Sequence, residues 1–342
     1  MNKGKTILVT GGAGYIGSHT VVELMHAGYS VVILDNFSNT SKEVYASLLS
    51  LLPSEPILFE GSVLDYNLLD LIFKAHKIDA VIHFAAFKAV GESVENPLMY
   101  YENNITGLIR LLAMMEENEV KKLVFSSSCT VYGIPENEIC VSETTPLGTP
   151  NSPYGQTKPM GEQIIQDFCK SNDIEAVLLR YFNPVGAHES AKIGELPNGV
   201  PNNILPFITQ TAFGEREELK VFGNDYDTAD GTCVRDFIHV VDVAEAHVKA
   251  IEVEQKSENP LILNLGTGKG SSVLELISSF EEANGIKINW SFADRRPGDV
   301  PAIYANPEKA EKILNWKTKR TITDAVRDAW NWEKYRMENE MD

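Results

Sequence analysis

The sequence predicts an α/β chain: a Rossmann-type doubly wound parallel sheet followed by a smaller C-terminal α+β domain. Three observations predict it. Short apolar runs alternate with amphipathic helical stretches from Thr6 to Leu179, the pattern of parallel βαβ units and not of hairpins. The first run stops at a glycine-rich turn and the second stops at an acid, Asp35. Beyond Asn183, prolines and glycines punctuate a looped region with a different texture.

The elements follow in order. Thr6-Ile7-Leu8-Val9 is a buried strand that ends at Gly11-Gly12-Ala13-Gly14-Tyr15-Ile16-Gly17. Ile16, Val21, Leu24 and Met25 recur at helical spacing up to Gly28, a C-cap signal. Val31–Leu34 is a second strand. Strand, glycine turn, helix, strand and acid in this order form a dinucleotide site: Gly11, Gly14 and Gly17 let the backbone approach a pyrophosphate seated on the helix N-terminus. Asp35 can accept from both ribose hydroxyls and repels a 2′-phosphate, so NAD is favoured over NADP. Pro56–Phe59, Ala80–Phe84, Leu123–Phe125 and Ala176–Leu179 read as further strands, and Leu68–Ala75 and Leu98–Asn118 as helices, with Met114 and Met115 in the core. Phe237–Val240 followed by Val243–Ile251 reads as a strand–helix unit returning to the first sheet. The strand ends at His83–Lys88, Ser126–Thr130 and Arg180–Asn183 converge on the edge where such sheets bind ligands.

Ser152-Pro153-Tyr154-Gly155-Gln156-Thr157-Lys158 carries the chemistry. Ser152 and Pro153 suit an N-cap and first helical residue, and Tyr154 and Lys158, four apart, share one helix face. A cation beside a phenol lowers its pKa and makes it a general base. Pro159 removes one backbone donor early in that helix, where a kink is tolerable.

Composition narrows the alternatives. The chain has 342 residues, 43% hydrophobic and 23% charged, with a formal charge of −18. That charge argues against nucleic-acid or anionic-membrane partners, so any phosphate site must be built from backbone N–H groups and a few cations such as Arg235, Arg295 and Arg296. Four cysteines without C-x-x-C pairing point to reduced thiols and a cytoplasmic location. No apolar run reaches the length of a membrane span. The histidines lack metal-ligand spacing, so no metal is expected, and His83 reads as a packed, hydrogen-bonded residue. No G-x-S-x-G elbow is present.

Thr10–Gly17, Tyr154-x-x-x-Lys158 and the serine-rich strand end resemble the extended short-chain dehydrogenase/reductase family. Blocks at Val81–Phe84, Lys88–Val94, Phe125–Gly133, Ser152–Gly155, Leu179–His188, Phe222–Tyr226 and Arg235–Val240 are similar to its C4-epimerases of UDP-glucose and UDP-galactose. The resemblance implies reversible inversion at C4 on tightly bound NAD, within galactose metabolism, by a homodimer. It implies catalytic roles for Tyr154 as base, Lys158 as its supporting cation, and Ser128 as hydrogen-bond partner of the same sugar oxygen. It implies NAD contacts at Tyr15, Ile16, Asp35, Asn36, Val63, Phe84, Lys88, Asn103 and Phe182. Substrate contacts fall at Asn183, Asn203, Phe222, Arg235, Arg296 and Asp299, with Ile303 where the sugar's 2-substituent is gated. Residues 1–182, with a returning segment at 234–253, would hold NAD, and 183–342 mainly the UDP-sugar.

This chain departs from the family at Ser62, where an acid usually meets adenine, at Cys129 in place of alanine, and at Ile303, which implies some tolerance of N-acetylated sugars. A related epimerase of N-acetylated or uronic-acid UDP-sugars is the nearest alternative reading. A 4,6-dehydratase needs an acid pair at Cys129-Thr130, which is absent. A 3,5-epimerase–reductase needs a cysteine placed differently, and NADPH. A non-catalytic NAD-sensing regulator has no use for the phenolate base that Ser128, Tyr154 and Lys158 would build.

Overall fold

The computed structural model describes residues 4–135, 138–196, 198–201, 203–254, 259–296 and 298–341. The strands are β1 (Thr6–Thr10), β2 (Ser30–Asp35), β3 (Ile57–Glu60), β4 (Ala80–His83), β5 (Lys122–Ser128), β6 (Cys140–Val141), β7 (Glu175–Tyr181) and β8 (Asn183–Val185). They continue with β9 (Leu219–Phe222), β10 (Val234–Arg235), β11 (Phe237–His239), β12 (Leu261–Leu265), β13 (Ser271–Ser272), β14 (Trp290–Ala293) and β15 (Ala302–Ala305). Helices α1 (Tyr15–His26), α2 (Lys42–Leu49), α3 (Tyr66–Ala75), α4 (Val90–Glu95), α5 (Pro97–Tyr101) and α6 (Gly107–Glu117) precede the motif helix α7 (Pro153–Ser171). After it come α8 (Ile204–Phe213), α9 (Val240–Glu252), α10 (Val273–Asn284), α11 (Glu308–Leu314) and α12 (Ile322–Glu338).

A seven-stranded parallel sheet runs in the order β12-β7-β5-β4-β1-β2-β3. Its strands are continuous runs of Val, Ile and Leu because both faces are covered. One face packs against α1 and α9, with Val21, Leu24, Val243 and Ala246 fully buried. The other packs against α3, α6 and α7 through Leu69, Leu111, Met115 and Ile165. The strand order reverses at β1, which lies between β2 and β4, and this opens a crevice at the carboxyl ends of these strands.

The expected return to this sheet takes a different form. β11 pairs with β8 in a separate two-stranded ribbon, and β12 supplies the seventh strand. α9 does return, against α1. At three residues β11 is too short to tell a central strand from a ribbon by periodicity. A third core, of α8, α10 and α12 with β9 and β14, underlies the C-terminal half.

The helix expected over Leu98–Asn118 is α5 and α6 joined by one π-helical turn, Glu102–Thr106, which buries Asn103 and Asn104. Helix α7 runs unbroken through Pro159. Ser152 caps it, its Oγ accepting from the Gly155 N–H at 3.0 Å. No helix among the described residues is long and apolar enough to cross a membrane.

Candidate active site

A cleft of about 890 Å³, part of it open to solvent, lies over the crevice. Gly11, Gly14, Tyr15, Ile16, Gly17, Asp35, Asn36, Val63, Phe84, Lys88, Asn103, Tyr154 and Lys158 all line it. The glycine turn is shaped for a bulky anion. A Cβ on Gly17 would lie 2.1 Å from the Gly11 carbonyl oxygen, so only glycine lets turn and helix close up. No side chain caps α1, which leaves its first N–H groups to the cleft. Asp35 ends β2 with Oδ2 accepting from Ala13 N–H and Oδ1 from Phe37 N–H, both at 2.9 Å. Burial pushes its carboxyl above the ordinary aspartate value, while these backbone donors oppose the shift. The cradle, the open helix N-terminus and the ribose acid together fit a dinucleotide. Ser62 also lines the cleft, its Oγ accepting from Leu64 N–H at 3.1 Å.

At the other end of the cleft, Lys158 Nζ donates to the Ser126 carbonyl at 2.8 Å and lies 6.0 Å from the centroid of the Tyr154 ring. Ser126 Oγ and Tyr181 OH are hydrogen-bonded at 2.7 Å, and both residues line the cleft. Ser128, at the end of β5, is buried, with its Oγ accepting from Thr130 N–H at 3.2 Å. His83 is the packed residue its position predicts, with Nδ1 2.7 Å from Thr10 Oγ1.

The electrostatics correct one expectation. Burial, reinforced by Tyr181, Cys129 and Tyr100, pushes the Tyr154 phenol well above its ordinary value instead of below it. Lys158, the nearby cation, is itself desolvated and does not offset this burial, so it alone does not produce a phenolate. Burial lowers the Lys158 ammonium from 10.5 to about 8, with Glu162 one helical turn on opposing the shift.

That shift sets a pH dependence. Between about pH 8 and 10.5 the unfolded chain binds a proton that the folded chain has released, so the lysine's contribution makes stability rise across this window. Lys158→Met in cofactor-stripped protein should therefore exceed the parent in stability at pH 7 by on the order of 1–3 kcal/mol. Urea denaturation checks it. The gap must narrow towards pH 10, and a constant gap rejects the buried charge as its cause.

None of the substrate candidates, nor Ser128, lines this cleft, but several of them meet one another. Arg235 Nη2 lies 3.6 Å from Asp299 Oδ1, Arg296 Nε lies 3.2 Å from Asp299 Oδ2, and the Arg296 guanidinium sits 4.9 Å over the Phe222 ring. Strand pairing places Ile303 opposite Arg235, and Asn183 N–H donates to the Asp236 carbonyl. Ile303 and Phe182 share a buried apolar cluster with Val131 and Tyr132, against which Cys129 packs. Phe182, expected to contact NAD, is buried in this cluster and is not among the residues lining the cleft. Its position just past β7 reads the same in either role. Arg295 stands apart, paired with Asp225 and stacked 4.2 Å over Tyr226. Asn203 donates to Glu195.

Tyr181 and Ser126 belong to strand ends already expected at this edge, without a role of their own. Other contributors were not foreseen. Asn104 clamps the backbone of Phe87, accepting from its N–H at 2.8 Å and donating to its carbonyl at 3.0 Å. Glu162 is four residues beyond Lys158, a spacing that marks it as a neighbour. Glu195 had no signal in its loop.

The family model described as GDP-mannose 4,6 dehydratase matches residues 8–329. The chain is 52% identical over 328 residues to a UDP-glucose 4-epimerase of Bacillus subtilis (strain 168), covering 96% of each chain. Among solved structures it resembles the Bifidobacterium longum UDP-glucose 4-epimerase in complex with NAD+ and UDP, with TM-score 0.93 and 46% identity over 98% of this chain and 99% of that one. It likewise resembles the Stenotrophomonas maltophila UDP-glucose-4-epimerase with bound NAD and formylated UDP-arabinopyranose, with TM-score 0.94 and 45% identity over 98% and 99%.

Proposed function

The chain belongs to the UDP-glucose 4-epimerase family, and from that premise we propose how its residues interconvert UDP-glucose and UDP-galactose at C4. The observation that carries the proposal is the meeting of a dinucleotide cradle with Tyr154 and Lys158 in one cleft. NAD, when bound, accepts a hydride from C4 of the sugar and returns it. Gly11, Gly14, Tyr15, Ile16 and Gly17 would hold its pyrophosphate end, Asp35 and Asn36 a ribose, and Val63, Phe84, Lys88 and Asn103 the remainder. The fold alone keeps Tyr154 protonated, so its role as base requires the further positive charge that NAD, when bound, would bring beside that of Lys158. As a phenolate Tyr154 would take the proton from the 4-hydroxyl and give it back, with Ser128 hydrogen-bonding the same oxygen. Asn183, Asn203, Phe222, Arg235, Arg296 and Asp299 hold the UDP portion, so the keto sugar can turn its other face before the hydride returns.

Residues 1–182, with 234–253, serve the cofactor in this reading, and 183–342 mainly serve the UDP-sugar. Purified protein given UDP-galactose and no added cofactor should form UDP-glucose, followed by chromatography. No conversion, even with NAD supplied, would reject the activity.

Ile303 favours a second substrate class. In this reading the 2-substituent gate is Ile303, a branched aliphatic side chain in the buried cluster of Phe182 and Tyr132. UDP-N-acetylgalactosamine should be epimerised at a rate comparable with that of UDP-galactose. Undetectable turnover refutes that tolerance.

A homodimer is the assembly we propose, through the α4–α5–α7 side. Leu98 on α5 is 80% exposed, and Val94, Ile109 and Met160 on α4, α6 and α7 are also exposed. Apolar side chains left in water across neighbouring helices are the mark of an interface. Leu98→Asp should convert the dimer to monomer in light scattering, and an unchanged dimer mass rejects this face. The cell compartment we assign is the cytoplasm, in keeping with four free cysteines.

A further inference from the structure

We propose that Glu195 is a positioning residue that ties the cofactor side of the cleft to the nucleotide side, by holding Lys88 and Asn203 on one carboxylate oxygen. The proposal rests on the reading that Lys88 faces NAD and Asn203 faces the UDP portion.

Glu195 Oε1 accepts from Lys88 Nζ at 3.1 Å and from Asn203 Nδ2 at 2.7 Å. The two donors come from distant parts of the chain: Lys88 follows β4 and lines the cleft, and Asn203 precedes α8. The Glu195 side chain is 9% exposed and that of Lys88 34%, so solvent screens this link less than a surface pair.

Two further features show a built arrangement. Asn203 is the N-cap residue of α8, a position from which an asparagine side chain ordinarily accepts from its own helix. Here it makes no such cap, and its amide is committed to Glu195. The loop carrying Glu195 is itself pinned. Its carbonyl accepts from Trp332 Nε1 at 3.2 Å, and a Cβ on Gly194 would lie 2.4 Å from the Trp332 ring, so glycine alone lets the loop lie flat on α12. The carboxylate is therefore presented from a fixed backbone.

A carboxylate near a site for two anionic diphosphates is unfavourable unless a cation neutralises it. Paired with Lys88 it adds no net charge, so its contribution is orientation: Lys88 is kept from swinging to any passing phosphate, and the Asn203 amide is aimed. Disturbing the pair on one side is felt by the donor on the other.

The test uses the full-length enzyme as purified, with UDP affinity measured by titration calorimetry alongside KM and kcat for UDP-galactose, and NAD content measured after denaturation. Glu195→Ala should raise both the UDP dissociation constant and KM about tenfold, the loss of a hydrogen bond to a charged group, with a smaller change in kcat. Glu195→Gln, whose amide oxygen can still accept from Asn203, should recover most of that loss. Glu195→Ala combined with Asn203→Ala should be no worse than the poorer single variant, because both remove one link. A Glu195→Ala enzyme with lower kcat and unchanged KM and UDP affinity would show a merely structural role and overturn the proposal, as would additive losses in the double variant. Raised KM in Asn203→Ala with none in Glu195→Ala refutes the coupling alone. Unchanged UDP affinity in Asn203→Ala refutes the nucleotide-side reading, and the proposal falls with it.

Discussion

Tyr154→Phe should lower kcat for UDP-galactose by about 10²–10⁴-fold while leaving the fold and the bound NAD in place. Phenylalanine fills nearly the same volume at this half-buried position, so packing is conserved and only the hydroxyl is lost. No other described group takes its place. Ser128 is a neutral hydroxyl with no base to activate it, Tyr181 is hydrogen-bonded to Ser126 Oγ, and Lys158 donates to the Ser126 carbonyl. The measurement is single-turnover conversion with parent and variant matched for NAD content. A variant within tenfold of the parent would mean that Tyr154 is not the base.

Glu162→Ala should be the most destabilising single change in the catalytic half, by about 3–5 kcal/mol, because it strands a buried guanidinium. Glu162 on α7 and Arg180 on β7 are only 1% and 2% exposed. They make a two-pronged pair, Arg180 Nη2 to Oε2 at 2.6 Å and Nε to Oε1 at 2.9 Å. Ser127 Oγ donates to the same carboxylate at 2.5 Å. Arg180 Nη1 reaches Tyr132 OH at 3.0 Å, which donates to Asn264 Oδ1 at 2.6 Å. The network joins α7, β5, β7 and β12 directly beneath Lys158. Urea denaturation should show the loss, and the double variant Glu162→Met with Arg180→Leu should regain most of it, since an apolar pair leaves no orphaned charge. Activity should not return with stability, because α7 then loses its polar anchor to Ser127 and the opposing carboxylate near Lys158. A double variant as unstable as the single one would show that the ion pair itself, and not the stranded charge, sets the cost.

The cradle, the catalytic helix and most of the sheet were legible because their determinants are local. A strand, a glycine turn, a helix and Asp35 follow one another within the chain, and the turn's geometry needs no distant partner. Tyr154 and Lys158 share a face by helical spacing, and Ser152 caps the helix three residues ahead of its acceptor's donor, Gly155. What sequence alone left open depends on contacts between residues far apart in the chain. The packing of Phe182 against Ile303 and Tyr132 left no trace in the local sequence. β11 could join the main sheet or a ribbon, and pairing with β8 decided for the ribbon. The phenol's pKa could fall beside a cation or rise on burial, and desolvation pushes it up. Local spacing thus determined which groups this protein carries and on which elements. Tertiary packing decided their charge states and partners, because desolvation and hydrogen-bond pairing are set by whatever the fold brings within a few ångströms.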